Sequence, residues 1–106
     1  MKDGPNIAIV GALAGEPARA NMLAALMCGK ALTASELAGE AGVSAPTASA
    51  HLAKLESGGL LARRKQGRHS YFALAGPEVA AMLEAMMGLA ARQGHMRTRT
   101  GPNDDA

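Results

Sequence analysis

Between Ser44 and His69 the chain gathers the side chains best suited to meeting a polyanion. Ser44, Thr47, Ser49 and His51 offer short hydroxyl and imidazole groups, and Lys54 adds an ammonium one turn further on. Arg63, Arg64, Lys65 and Arg68 form a dense cationic run that ends at His69. Five cations stand there against Glu56, a net charge of +4 in a chain whose total is +2, so the remainder sums to −2. Charge confined to one contiguous unit is the electrostatic footprint of a phosphate-binding surface. Short polar side chains, for their part, reach base edges and phosphates in a DNA major groove without steric bulk. The bland alternative is a helical hairpin with a solvated polar face, followed by an exposed charge run.

Such groups are useful only if something holds them in place, and the local sequence supplies the supports. Thr33 with Glu36 three residues later is a capping box, which opens a short helix over Ala34–Ala41. Gly42 ends it, because a left-handed backbone costs glycine little. Val43 is an apolar bridge, Ser44 is a second N-cap, and Pro46 lies in a first turn where its missing N–H costs no helical bond. Ala48, Leu52 and Leu55 then share one face of the next helix, which Gly58 and Gly59 stop. Leu37, Ala38 and Ala41 are expected to pack on Val43, Ala48 and Leu52, the small alanines allowing a close crossing. The opposite face carries Pro46, Thr47, Ala50 and Lys54, flanked by Ser49 and His51. Residues 60–65 and His69–Leu74 read as two strands around the turn Gln66-Gly67-Arg68, a basic hairpin directly after the helix.

This arrangement resembles the winged-helix repressors of the ArsR/SmtB family. The resemblance is carried by Glu36-Leu-Ala, by the run from Val43 to Leu55 with its Ser49-Ala-His51-Leu52, by Gly59-Leu-Leu, and by the run from Arg63 to Leu74. It covers residues 6–92 and implies a homodimeric DNA-binding regulator that answers to a metal, a redox signal or another ligand. The fold it implies is mainly α with a small β-hairpin, a winged helix-turn-helix made dimeric through its first and last helices. The DNA-binding set expected is Ser44, Pro46, Thr47, Ser49, His51, Lys54, Arg63, Arg64, Lys65, Arg68 and His69. Of these, the hydroxyls and His51 are expected at bases or nearby phosphates, and the cations at phosphates, with Arg68 entering a minor groove. His51 and His69 also allow a purely structural, hydrogen-bonding reading. A rival of a different class is a winged-helix protein-interaction module, since a fold does not fix function.

At 106 residues the chain fits one small domain, and Tyr71 and Phe72 are its only aromatic residues. Leu, Ala, Met and Val must therefore build the core, and dimerisation would add buried area that so small a domain lacks. The apolar run at residues 7–14, preceded by Lys2, has some features of a secretory signal. It is short, Asp3 and Pro5 interrupt its approach, and no disulfide-rich domain follows. It reads instead as a first helix, buried in a dimer interface or the core of a cytoplasmic protein. Pro17 opens a second helix whose apolar side holds Ala18, Met22, Ala25 and Leu26, with Arg19 and Asn21 pointing elsewhere. Pro17-Ala-Arg19 matches a Pro-x-Arg sequence common in the family at this place. Gly76-Pro77 starts a last helix with Val79, Met82, Leu83, Met86, Met87 and Ala90 on its apolar side, and Gly88 is a weak point in its continuity. Residues 1–93 are expected to form the domain and residues 94–106 a flexible tail. The tail's Arg-Thr-Arg-Thr-Gly-Pro is similar to a connector in longer family members, as in a truncated form or a short relative.

No sensor or catalytic site is expected. Cys28 is the single cysteine, so no intramolecular disulfide can form, and it reads as a small, half-buried residue. Soft-metal sites need several thiolates or a thiolate–imidazole cluster. The family's arsenic and cadmium sensors carry one on the first helix of the motif, where this chain has Glu36-Leu-Ala-Gly-Glu-Ala. At the positions of the family's zinc-type site stand Gly76, Glu78 and Leu89, so that pattern fails as well. His51, His69 and His95 are not read as metal ligands, no cofactor is implied, and the effector is left open. Without a phosphate loop, a metal-binding histidine pair or a nucleophile beside its base, the chain does not read as an enzyme.

Overall fold

Each helix begins where a side chain or a proline can satisfy or dispense with its first N–H groups, and most end on glycine. A computed structural model describes residues 3–97. The order is α1 (Ile7–Gly15), α2 (Pro17–Leu26), β1 (Leu32–Thr33), α3 (Ala34–Ala41), α4 (Ala45–Ser57), β2 (Leu61–Gln66), β3 (His69–Leu74) and α5 (Pro77–Arg92). Thr33 Oγ1 accepts from the Glu36 N–H at 3.1 Å while the Glu36 carboxylate accepts from the Thr33 N–H at 2.9 Å, so the expected capping box is formed. Ser44 caps α4 by accepting from the Thr47 N–H. At the C-terminus of α3 the Val43 N–H reaches back to the Ala38 carbonyl, and Gly42 takes φ +68°. The C-terminus of α4 repeats the device through Gly59 at φ +83° and the Leu60 N–H to the Leu55 carbonyl. These bonds satisfy carbonyls that a helix end otherwise leaves open.

A left-handed backbone costs a residue with a Cβ about 1–2 kcal/mol. Gly42→Ala is therefore expected to lower the unfolding midpoint by roughly 4–10 °C for a domain of this size. Thermal unfolding followed by circular dichroism checks this, and an unchanged midpoint would mean that Gly42 is not needed for the turn.

The core lies where α2, α3 and α4 meet, around Met22, Leu23, Leu26, Leu37, Leu52 and Leu55, all but fully buried. Ala38, Ala41 and Ala48 are buried at the crossing of α3 and α4, as their size requires. Phe72 closes the core from the sheet, and Val79 and Leu83 close it from α5. The sheet has three strands in the order β1-β3-β2, all antiparallel. The sequence pointed to a hairpin alone. The added strand β1 pairs Leu32 with Phe72 and Thr33 with Tyr71, tying the base of the hairpin to the start of α3. In the hairpin Gln66 pairs with His69, leaving Gly67-Arg68 as a two-residue turn with Gly67 at φ +62°. Glycine first in such a turn matches the right-handed twist of the strands it joins.

The expected last helix runs through Gly88 without a break to Arg92, since a helical glycine costs only about 1 kcal/mol and packing along the helix offsets it. Three expectations need correction. Cys28 is exposed, because α2 ends at Leu26 and the cysteine falls in the turn beyond, its thiol donating to the Ala25 carbonyl. Arg19 does not point away from the core but is buried. Asn21 is half-buried and accepts a bond at 3.1 Å from Arg97, so the chain just after α5 returns to α2. The rest of the expected tail, residues 98–106, lies outside the described residues. Within one chain α1 is fully buried only at Ala14, with Val10 and Leu13 half-buried against the core, while Ile7 and Ile9 remain 84% and 59% exposed. Between α2 and α5 runs an apolar groove of about 200 Å³ lined by Ala20, Ala24, Met27, Leu83, Met86 and Ala90 among others.

Candidate nucleic-acid interface

The N-terminal half of α4 presents Ser44, Pro46, Thr47 and Ser49 to solvent, and Lys54 is exposed further along the helix. Their exposure follows from the burial of Ala48, Leu52 and Leu55, which fixes the rotation of the helix. Ser44 Oγ is occupied at the cap, where it accepts the Thr47 N–H and donates to Thr47 Oγ1 at 3.0 Å. Thr47 Oγ1 accepts that bond and stays exposed, so its own hydroxyl is free to donate to an acceptor outside the helix. Ser44 thus orients Thr47 more than it reaches outward itself.

The hairpin carries the rest. Successive side chains of a strand point to opposite faces, so Arg63 and Lys65 share one face of β2 and Arg64 takes the other. Register puts Arg63 across from Phe72, Arg64 across from Tyr71 and Lys65 across from Ser70. Arg64, Lys65, Arg68 and His69 are exposed, Arg68 lying in the turn itself. The His69 ring meets Tyr71 edge-on with centroids 6.3 Å apart. Arg63 differs from the other cations. Its guanidinium lies 4.9 Å from the Phe72 ring centroid and forms an ion pair with Glu56 at 3.1 Å. It therefore joins the wing to the end of α4, and part of its charge is already answered.

His51 requires a correction. Its ring turns inward, with Nδ1 2.9 Å from Arg19 Nη1 and Nε2 3.8 Å from Glu16 Oε1. Both ring nitrogens are thus directed to the corner between α1 and α2, and a base contact from this side chain is not available in this geometry. Of the two readings the sequence left open, hydrogen-bonded structure is the one the fold takes. Sequence reasoning missed Arg19 and Glu16 altogether as partners of α4. The signal was present: Arg19 stands at i, i+3, i+4 and i+7 with Met22, Leu23 and Leu26, on the core face of α2.

Among the described residues no three His, Cys, Asp or Glu side chains gather as a metal site, and no helix is long and apolar enough to cross a membrane.

Residues 9–64, more than half of the chain, match the helix-turn-helix domain family. The chain belongs to that family. This helix-turn-helix protein is 40% identical over 86 residues to an uncharacterized HTH-type transcriptional regulator, YdfF, of Bacillus subtilis strain 168. The match takes in 81% of this chain, which spans only about 38% of the relative's length. Among solved structures it is similar to the homodimeric winged helix-turn-helix DNA-binding domain of Mb0332 from Mycobacterium bovis, described as a possible ArsR-family transcriptional regulator. That match has a TM-score of 0.75 and 27% identity over 88% of this chain and 93% of that one. HlyU from Vibrio cholerae N16961 follows with a TM-score of 0.72 and 27% identity, over 80% of this chain and 91% of that one. The winged architecture and the ArsR-type resemblance read from the sequence both stand.

Proposed function

We propose that this chain is the DNA-binding and dimerisation unit of a cytoplasmic transcriptional repressor, with residues 1–93 as its domain. The observation that carries the reading is the exposed polar turn at the start of α4 standing beside a hairpin whose Arg64, Lys65 and Arg68 are all free to solvent. Two copies bind a pseudo-palindromic duplex, one α4 to each half-site. Thr47 and Ser49, with Pro46 and Ser44 beside them, meet base edges and nearby phosphates. Lys54, Arg64, Lys65, Arg68 and His69 follow the backbone, Arg68 reaching toward a minor groove from the turn. Arg63 serves chiefly to fix the wing on α4.

Dimerisation is supported by what a single chain leaves uncovered. Ile7 and Ile9 on α1, and Met86 and Leu89 on α5, are large apolar side chains in solvent, and Met86 also lines the apolar groove between α2 and α5. Exposed apolar surface of this extent on so small a domain is the mark of an interface.

Selection of duplexes from a random-sequence pool, followed by gel-shift titration at two salt concentrations, tests the proposal. The expected result is a pseudo-palindromic consensus bound at least about a thousandfold more tightly than random duplex. Weak, sequence-blind binding would favour the protein-interaction reading.

A further inference from the structure

We infer that Arg19 and His51 are positioning residues for α4, a latch through which the last turn of α1 sets the working angle of the recognition helix. The inference rests on the DNA-binding reading above. Arg19 is 9% exposed, and its guanidinium spans three acceptors. Nε donates to the Leu13 carbonyl at 2.8 Å, Nη2 donates to the Ala12 carbonyl at 3.2 Å, and Nη1 meets His51 Nδ1 at 2.9 Å. The two carbonyls belong to the open end of α1, where the helix dipole also favours a cation.

A guanidinium has donors and no acceptor and stays charged. The His51 nitrogen that faces it must therefore present a lone pair, which places the ring proton on Nε2. Nε2 points at Glu16, whose carboxylate also caps α2 by accepting the Arg19 N–H at 2.8 Å. A second contact, from α1 directly to the C-terminal end of α4, lies seven residues further on. Leu13 sits so close over Gly58 that a Cβ there would overlap its side chain. The two contacts are about 10 Å apart along the helix, which fixes both the position and the tilt of α4 against α1.

A proton on Nδ1 would set an N–H against the guanidinium, so the contact requires that nitrogen bare. The charged groups at the ring are Arg19 and Glu16, from the α1–α2 corner. Lys54 follows on α4 itself, α3 carries Glu36 and Glu40, and β2 carries Arg63, held by Glu56.

Three variants and one spectroscopic measurement test the latch. The probes are a duplex recovered by the wild-type protein from a random-sequence pool and a scrambled duplex, both at fixed ionic strength. Arg19→Lys keeps the charge but cannot span three acceptors. It should weaken binding to the selected duplex about tenfold, the loss of one hydrogen bond to a charged group, and leave the scrambled duplex unaffected. His51→Gln keeps a carbonyl acceptor, and its selectivity should stay within about twofold of the wild type. His51→Ala leaves the Arg19 Nη1 donor without that partner and should lose about tenfold. Nitrogen NMR of the ring should find the proton of neutral His51 on Nε2. Wild-type selectivity in His51→Ala, a proton on Nδ1, or wild-type selectivity in Arg19→Lys would each overturn the latch. A wild-type protein that binds neither duplex refutes the DNA-binding reading and the positioning role together, while the ring tautomer still decides whether the contact exists.

Discussion

Leu89→Asp is expected to sediment as a monomer and to lose roughly 10²- to 10⁴-fold in affinity for a two-half-site duplex, the range that separates bivalent from monovalent engagement. The reasoning begins with exposure. Leu89 is 55% exposed on α5 within one chain, so aspartate there leaves the fold of the single domain intact. In the proposed dimer the same position faces apolar surface, and a carboxylate placed there without a partner loses its hydration for nothing in return. Ile9→Asp on α1 should behave alike. Leu83 would be a poor choice for this test, because at 7% exposure it belongs to the core of the single chain and a charge there would unfold it. Sedimentation velocity and a titration against a single half-site complete the experiment. Both variants should bind one half-site as weakly as the wild type does. A dimer that persists in both would remove α1 and α5 from the interface.

The second large effect separates charge from readout. Arg64→Ala, Lys65→Ala and Arg68→Ala should each weaken selected and random duplexes by similar factors, and each lost phosphate contact should reduce the slope of log K against log salt by about 0.9. Thr47→Ala should instead cost roughly 1–3 kcal/mol on the selected duplex and leave random binding and the salt slope nearly unchanged. Counterion release follows charge, whereas base readout follows donor and acceptor geometry, so the two signatures do not mix. Arg63→Ala should change the slope least of the wing variants, since its charge already answers Glu56. Its cost falls on stability through the contact with Phe72, about 0.5–1 kcal/mol for a partly exposed pair. Affinities for all five variants at several salt concentrations test the scheme. Wing variants that lose only selective binding would place those side chains on bases.

Much of the fold was legible because its signals are local. Thr33, Glu36, Gly42, Ser44, Pro46, Gly58 and Gly59 each act within one turn of their own position, so they marked the limits of α3 and α4 to the residue or nearly so. The hairpin was legible from the two runs on either side of its glycine turn. β1 was not, because two residues carry no periodicity and its partners, Tyr71 and Phe72, lie nearly forty residues away. The candidate site divided in the same way. Which face of α4 looks outward followed from Ala48, Leu52 and Leu55, but His51 stands about 60° from Ala48 around the helix, at the border of the two faces. At a border position the neighbouring element decides, and here that neighbour is a buried arginine whose own acceptors are the carbonyls at the end of another helix.

Among the described residues the strand order β1-β3-β2 leaves the outer side of β2 without a neighbour. Unpaired N–H and C=O groups along such a strand are a template on which another chain can add, and they are a common starting point of aggregation. On β2 the exposed stretch reads Ala62-Arg63-Arg64-Lys65-Gln66. Three adjacent positive charges repel an identical strand brought alongside in either direction. The residues proposed to hold a phosphate backbone thus also keep copies of the protein from joining sheet to sheet. The guard is weakest when an anion covers it, so crowding on a short polyanion is the condition under which this protein should be most prone to self-associate through its wing.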